Sequence, residues 1–259
     1  MKRIVTTVAL LVAFASTASA VTLVSEGFNY PNGNLVPNGG WANYSGVNVD
    51  IQVASGRATG GAVPNNQNDD HILFPAQSTS TTTYACFDVI IPPVAGAPKA
   101  IYFFSLKDAG AANLVSRLFV LPVTGGFTFG ISHSSTSITV GVTAFSSSPL
   151  VYGQKYNVVL NYNPVNKTST LWVNPSSELS TNVTDTNAAI AALAVSGAGL
   201  RQSNSASALP AVQGFTGTVD WNWSVDNLGV GNTFNEACVQ YQATPVKRST
   251  WGAVKSIYR

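Results

Sequence analysis

Alternation with a period of two, in short runs cut apart by turn residues, is what most limits how this chain can fold. Val49, Ile51 and Val53 alternate with Asp50 and Gln52, and Phe127, Phe129 and Ile131 with Thr128, Gly130 and Ser132. Ile138, Val140 and Val142 alternate with Thr139 and Gly141. Tyr156, Val158, Leu160 and Tyr162 share one face of a run whose other face holds Asn157 and Asn161. Further on, Phe215, Val219, Trp221 and Trp223 stand against Thr216, Thr218, Asp220 and Asn222. Successive strand side chains point to opposite faces, so each run buries one face and leaves the other polar. The denser apolar runs Ile101–Leu106 and Leu118–Leu121 predict strands buried on both faces. Turns come from Pro31-Asn32-Gly33, Asn38-Gly39-Gly40, Ser55-Gly56, Gly125-Gly126 and Asn163-Pro164-Val165-Asn166, the last closing a hairpin between 156–162 and 169–174. About a dozen such strands predict an all-β fold, a two-sheet antiparallel β-sandwich of the jelly-roll kind. Asn187–Val195 is the one helical candidate, and it reads equally as a covering segment or a short strand.

The first twenty residues have the makings of an export signal. Lys2 and Arg3 precede the apolar Val8–Phe14, and Ala18-Ser19-Ala20 is the small-x-small pattern expected before cleavage. The apolar run is too short to span a bilayer, which needs about 20 residues, and no later segment has that length. The expected organisation is therefore a signal peptide at 1–20, one sandwich domain at 21–244 and a basic tail at 245–259, with the mature chain secreted or held at the cell surface. Residues 21–244 hold 7 basic against 11 acidic side chains, which argues against nucleic acid as a partner. In an exported chain the two cysteines, Cys86 and Cys238, read most simply as one disulfide, the alternative being two buried thiols.

Three segments resemble the concanavalin A-like lectin/glucanase superfamily in its laminin-G-like form. They are Glu26–Leu35 with Gly39-Gly40-Trp41, the pair Tyr156–Tyr162 and Leu171–Pro175, and the closing Val225–Gly231. The resemblance runs over about residues 22–239 in that order. It implies a jelly roll whose first and last strands lie together, bringing Glu26 near Asp226. A carboxylate from each, with backbone carbonyls, would then offer hard oxygen ligands to a structural Ca2+; otherwise they are two solvated acids, or Asp226 caps a turn. Asn65–Asp70 (NNQNDD) is a second oxygen-rich stretch, read as a solvated loop because it lacks ligand spacing.

Such a fold hosts lectins, glycosidases and inert modules, so function has to come from residues. The Glu-x-Asp-x-x-Glu pattern of the superfamily's glucanases is missing: the three glutamates are Glu26, Glu178 and Glu236, none with an acidic neighbour at that spacing. There is no Gly-x-Ser-x-Gly either, so a non-enzymatic role is expected, with an atypical glycoside-active enzyme or a purely structural protein as alternatives. Sugar recognition uses exposed aromatic faces beside amide and hydroxyl groups. Trp172 alternates in phase with Thr170 and Asn174, and Trp41 and Tyr44 lie in a polar Gly/Asn-rich stretch, so Trp172, Asn174, Trp41 and Tyr44 are the candidate glycan-binding residues. Trp172 has a competing place in the core, and Trp221 and Trp223 read as core. In the tail, Trp251, Val254, Ile257 and Tyr258 fall on one helical face among four cations, which suits either a tag read by a sorting system or envelope surface, or a terminus packed on the acidic body.

Overall fold

The computed structural model describes residues 22–47, 49–61, 67–133, 142–146, 148–202, 219 and 221–239. The export signal, most of the 138–142 run, residues 215–218 with 220, and the basic tail lie outside the described residues.

The described residues form two antiparallel sheets. The larger has nine strands: β1 (Thr22–Glu26), β2 (Gly33–Asn34), β4 (Gln52–Ala54), β5 (Arg57–Gly60), β7 (Thr83–Ile90), β12 (Lys155–Asn163), β13 (Thr168–Val173), β14 (Asn182–Thr186) and β16 (Trp223–Gly231). Their order is β14-β13-β12-β7-β16-β5-β4-β2, with β1 also on β16. The smaller sheet has seven: β3 (Trp41–Ser45), β6 (Asp69–Leu73), β8 (Ile101–Lys107), β9 (Leu114–Val123), β10 (Gly126–Ser132), β11 (Thr143–Ala144) and β15 (Gly197–Leu200), ordered β11-β10-β9-β8-β15-β6-β3. This is the expected two-sheet sandwich.

Alternation sets which side chains meet between the sheets. Tyr156, Val158, Leu160 and Tyr162 of β12 join the main core with Phe87, Val89, Phe103 and Phe129. The hairpin forms as expected, with Val158 opposite Val173 and Asn163 opposite Thr168, and Asn163 Oδ1 accepts the Asn166 N–H at 2.9 Å inside the turn. β8 is buried along its whole length, as its unbroken apolar run requires. Its outer side is covered too: Tyr102, Phe119 and Leu121 form a second apolar cluster with Ala100 and Leu114, separate from the main core. Residues 187–195 form neither helix nor strand but a covering segment, pinned where the Leu193 N–H donates to Tyr162 Oη at 2.7 Å.

β1 lies on β16, Glu26 opposite Leu228, so first and last strands are neighbours. After β16 a single turn, α1 (Phe234–Ala237), is held by a reciprocal cap: the Glu236 N–H donates to Thr233 Oγ1, and the Glu236 carboxylate accepts the Thr233 N–H. This turn lies on the outer face of the larger sheet, where Cys238 is bonded to Cys86 of β7, Cα to Cα 5.3 Å, across a sequence separation of 152. Closing so long a loop stabilises the fold by about 4–5 kcal/mol in chain-entropy terms.

Candidate functional site

The aromatic residues that the sequence offered for sugar stacking are mostly inside. Trp172 does project from the outer face of β13, but α1 and the disulfide cover it. It packs with Phe234, Tyr84, Cys86 and Cys238, is 3% exposed, and donates its indole N–H to the Glu178 carbonyl at 3.1 Å. Trp41 is 2% exposed in the main core, its ring 5.7 Å from Phe28. Neither tryptophan presents a face to a ligand, because each fills a gap between layers. Asn174 is exposed, but it sits at φ 50° and spends its side-chain oxygen on the Asn157 N–H at 2.8 Å. Tyr44 alone of the four lies beside a chemically unusual group.

Glu26 and Asp226 are not brought to a common point. Glu26 turns inward, where it accepts the Phe28 N–H at 2.5 Å, the Tyr30 hydroxyl at 2.6 Å and the Trp41 indole N–H at 3.0 Å. Burial, added to by the Glu26 carboxylate beside it, pushes the Tyr30 phenol up to about 12. Asp226 lies on the outer face, opposite Asp88 in register, and pairs with Arg57 at 3.2 Å. A bulge at Asn227, with φ 53°, separates the two positions. Among the described residues no three His, Cys, Asp or Glu side chains come together in a metal-ligating group.

Among the described residues a concavity lies elsewhere, beside β4, β5 and the start of β16. A cleft of about 300 Å3 is lined by Asp50, Gln52, Thr59, Gln202, Asn222 and Ser224, over a floor that includes Trp223 and Val49. Its polar wall is tied together in advance. Gln52 donates to Asn34 Oδ1 at 2.9 Å and to the Asp50 carbonyl at 2.8 Å, Thr59 donates to the Gln52 carbonyl at 3.2 Å, and Gln202 donates to the Val49 carbonyl at 3.0 Å. Two glycines keep the wall bare. A Cβ on Gly60 would come 2.6 Å from the Trp223 ring, and one on Gly61, at φ +124°, would come 2.0 Å from the Trp221 carbonyl oxygen. The lining comes from five stretches, two of them joined in the β4–β5 hairpin and the other three distant in sequence. The only local signals are the Gly60-Gly61 pair and the polar residues interleaved in Trp221-Asn222-Trp223-Ser224.

A second constellation occupies the outer face of the smaller sheet, and it includes Tyr44. The Tyr44 ring stacks on His71 at 5.1 Å, Lys107 Nζ sits 4.5 Å from the Tyr44 centroid, and Lys107 meets His71 Nδ1 at 2.9 Å. Arg201 and Arg117 both lie over Tyr102, at 4.3 Å and 5.0 Å, and Arg201 pairs with Asp69 at 3.9 Å. Burial shifts these groups toward neutrality. Lys107 falls to about 8 and His71 to about 4, the latter also repelled by Lys107, while Asp69 rises to about 7. Three of the seven basic residues in 21–244 thus converge on one face. At positions 107, 117 and 201 they do not cluster in the sequence, so only the scarcity of charge was a signal there.

No protein-family model matches the chain, and no curated protein matches it in sequence. Solved structures do match. A sialidase is 13% identical with a TM-score of 0.57 over 84% of this chain, which spans 19% of that protein. The alginate lyase Aly36B is 13% identical with a TM-score of 0.51, over 80% of this chain and 96% of that one. A botulinum neurotoxin type C structure, whose cell entry depends on two ganglioside molecules, is 10% identical with a TM-score of 0.52 over 89% of this chain and 54% of that one. At such identities the likeness is one of fold alone, a two-sheet antiparallel β-sandwich.

Proposed function

We propose that this chain is an exported, concanavalin A-like domain that binds a glycan in the cleft between Asp50, Gln52, Thr59, Gln202, Asn222 and Ser224. The observation that carries this reading is the cleft itself: a concavity of about 300 Å3 with an apolar floor and a prearranged rim of amide, hydroxyl and carboxylate groups. Sugar hydroxyls both donate and accept, so such a mixed rim of donors and acceptors matches them. The fold supports the same reading, since the neurotoxin structure that shares it belongs to a protein whose entry depends on gangliosides. Export rests on the leader read at residues 1–20. The test is a glycan array with the mature protein, followed by Gln52→Ala and Asn222→Ala. Each should weaken binding about tenfold, the worth of one to two hydrogen bonds. Absence of binding to every glycan, or variants that bind like the wild type, would overturn the assignment.

One observation favours a second reading, an enzyme acting on an acidic polysaccharide. Neutral His71, Tyr44 and Lys107 beside two guanidiniums could move a proton next to a carboxylate that the arginines neutralise. The alginate lyase of similar fold is consistent with it. Incubation with polyuronates and a search for unsaturated chain ends would reveal such activity. The burial of these groups, with Lys107 at 0% and Arg117 at 4% exposed, favours the cleft and the binding role.

A further inference from the structure

Asp70 is a buried acid without a visible reason to be there. It is 0% exposed, and neither carboxylate oxygen has a donor in hydrogen-bonding geometry. Its place in β6 explains its direction: it pairs across the sheet with Leu200, a core residue, and with Asn43, so it points inward at the rim of the core. Asn68, just before the strand, leads into it with its N–H on the Val49 carbonyl at 3.1 Å. The Asn68 amide donates to Asp50 Oδ1, while its own Oδ1 is buried and accepts nothing. Asp50 approaches Asp70 closely enough to add to the effect of burial, which together push Asp70 up to about 6. The Ile51 N–H and the Asn43 amide act the other way without forming a proper bond.

Leaving such oxygens bare costs a few kcal/mol each, so native proteins rarely do it. A proton on Asp70 could be donated to the Asn68 oxygen, but it would still leave the other Asp70 carboxyl oxygen without a donor. A hard cation answers all three. We propose that Asp50, Asn68 and Asp70 bind a divalent cation of the calcium type between β6 and the segment 49–51. Two carboxylates match its charge, amide oxygens are ordinary calcium ligands, and water completes the shell of six to eight. Its third member is an amide, so the group holds two acids rather than three. Asp50 and Val49 also line the cleft, so the ion would fix one cleft wall, although its binding does not depend on any glycan being bound.

The test uses the full exported protein stripped with chelator, then titrated with Ca2+ while thermal melting and terbium luminescence are followed. At about a hundredfold excess over the dissociation constant, Ca2+ should raise the melting temperature by about 5–10 °C. Asp70→Asn and Asp50→Asn should each remove that rise and the terbium signal, whereas Asp226→Asn should keep both. Asp50 is partly exposed, so its variant decides the matter if Asp70→Asn fails to fold. A wild type indifferent to Ca2+, or a response that survives Asp50→Asn, would overturn the proposal.

Discussion

Glu26 and Asp226 sit on adjacent strands yet face opposite sides of the same sheet, the first inward onto Trp41 and the second outward onto Arg57. Their roles should therefore separate. Glu26→Gln keeps the shape but weakens a buried carboxylate serving three donors, and it should cost about 2–3 kcal/mol in chemical denaturation. Asp226→Ala breaks a partly exposed ion pair and should cost no more than about 1 kcal/mol. Equal effects from the two would mean that they work at one shared site after all.

Trp172 distinguishes a buried filler from a binding platform. Trp172→Ala should lower stability by about 3–5 kcal/mol, because it empties the layer beneath α1. A variant that melts like the wild type but loses glycan binding would return Trp172 to the surface role the alternation suggested.

The disulfide can be tested on the same layer. Cys86→Ser with Cys238→Ser should lower stability by about 4–5 kcal/mol, and reductant should lower the melting temperature of the wild type but not of the double variant. Reductant-insensitive melting of the wild type would contradict this.

His71 and its acidic neighbour oppose each other in pH. The folded-state pKa of His71 is lowered from 6.5 to about 4, so between those values the unfolded chain binds the proton first and stability falls on acidification. Asp69 is raised from 3.8 to about 7, so over its window the folded chain holds more protons and stability rises on acidification. His71→Gln should thus gain on the wild type as the pH drops from 6.5 toward 4, and Asp69→Asn should lose on it. Denaturant midpoints at several pH values would measure both slopes; parallel curves for all three proteins would refute the assignment.

Strands were legible in runs such as Phe127–Ile131 and Tyr156–Tyr162, because burial on one face is a local pattern. What covers the opposite face was not. Trp172 was placed on the correct side of its strand, but its cover arrives some sixty residues later in α1. The stretch Asn65–Asp70 read as a solvated loop, whereas Asp69 and Asp70 open a strand inside the smaller sheet and are buried there. Adjacent first and last strands were anticipated from resemblance. The outward turn of Asp226 was not, since the bulge at Asn227 that marks it leaves no signature in residue type. The cleft escaped notice because no single stretch of chain carries more than part of its wall.

The bond between Cys86 and Cys238 has a mechanical meaning as well. β7 lies in the middle of the nine-stranded sheet, flanked by β12 and β16. Tension applied to the chain beyond Cys238 therefore enters at a central strand through a covalent link and bypasses α1. It must shear the ladders on both flanks of β7 together, which resists force far better than opening an edge strand one hydrogen bond at a time. With the bond reduced, the same pull would draw α1 away first and then unzip β16 from its end.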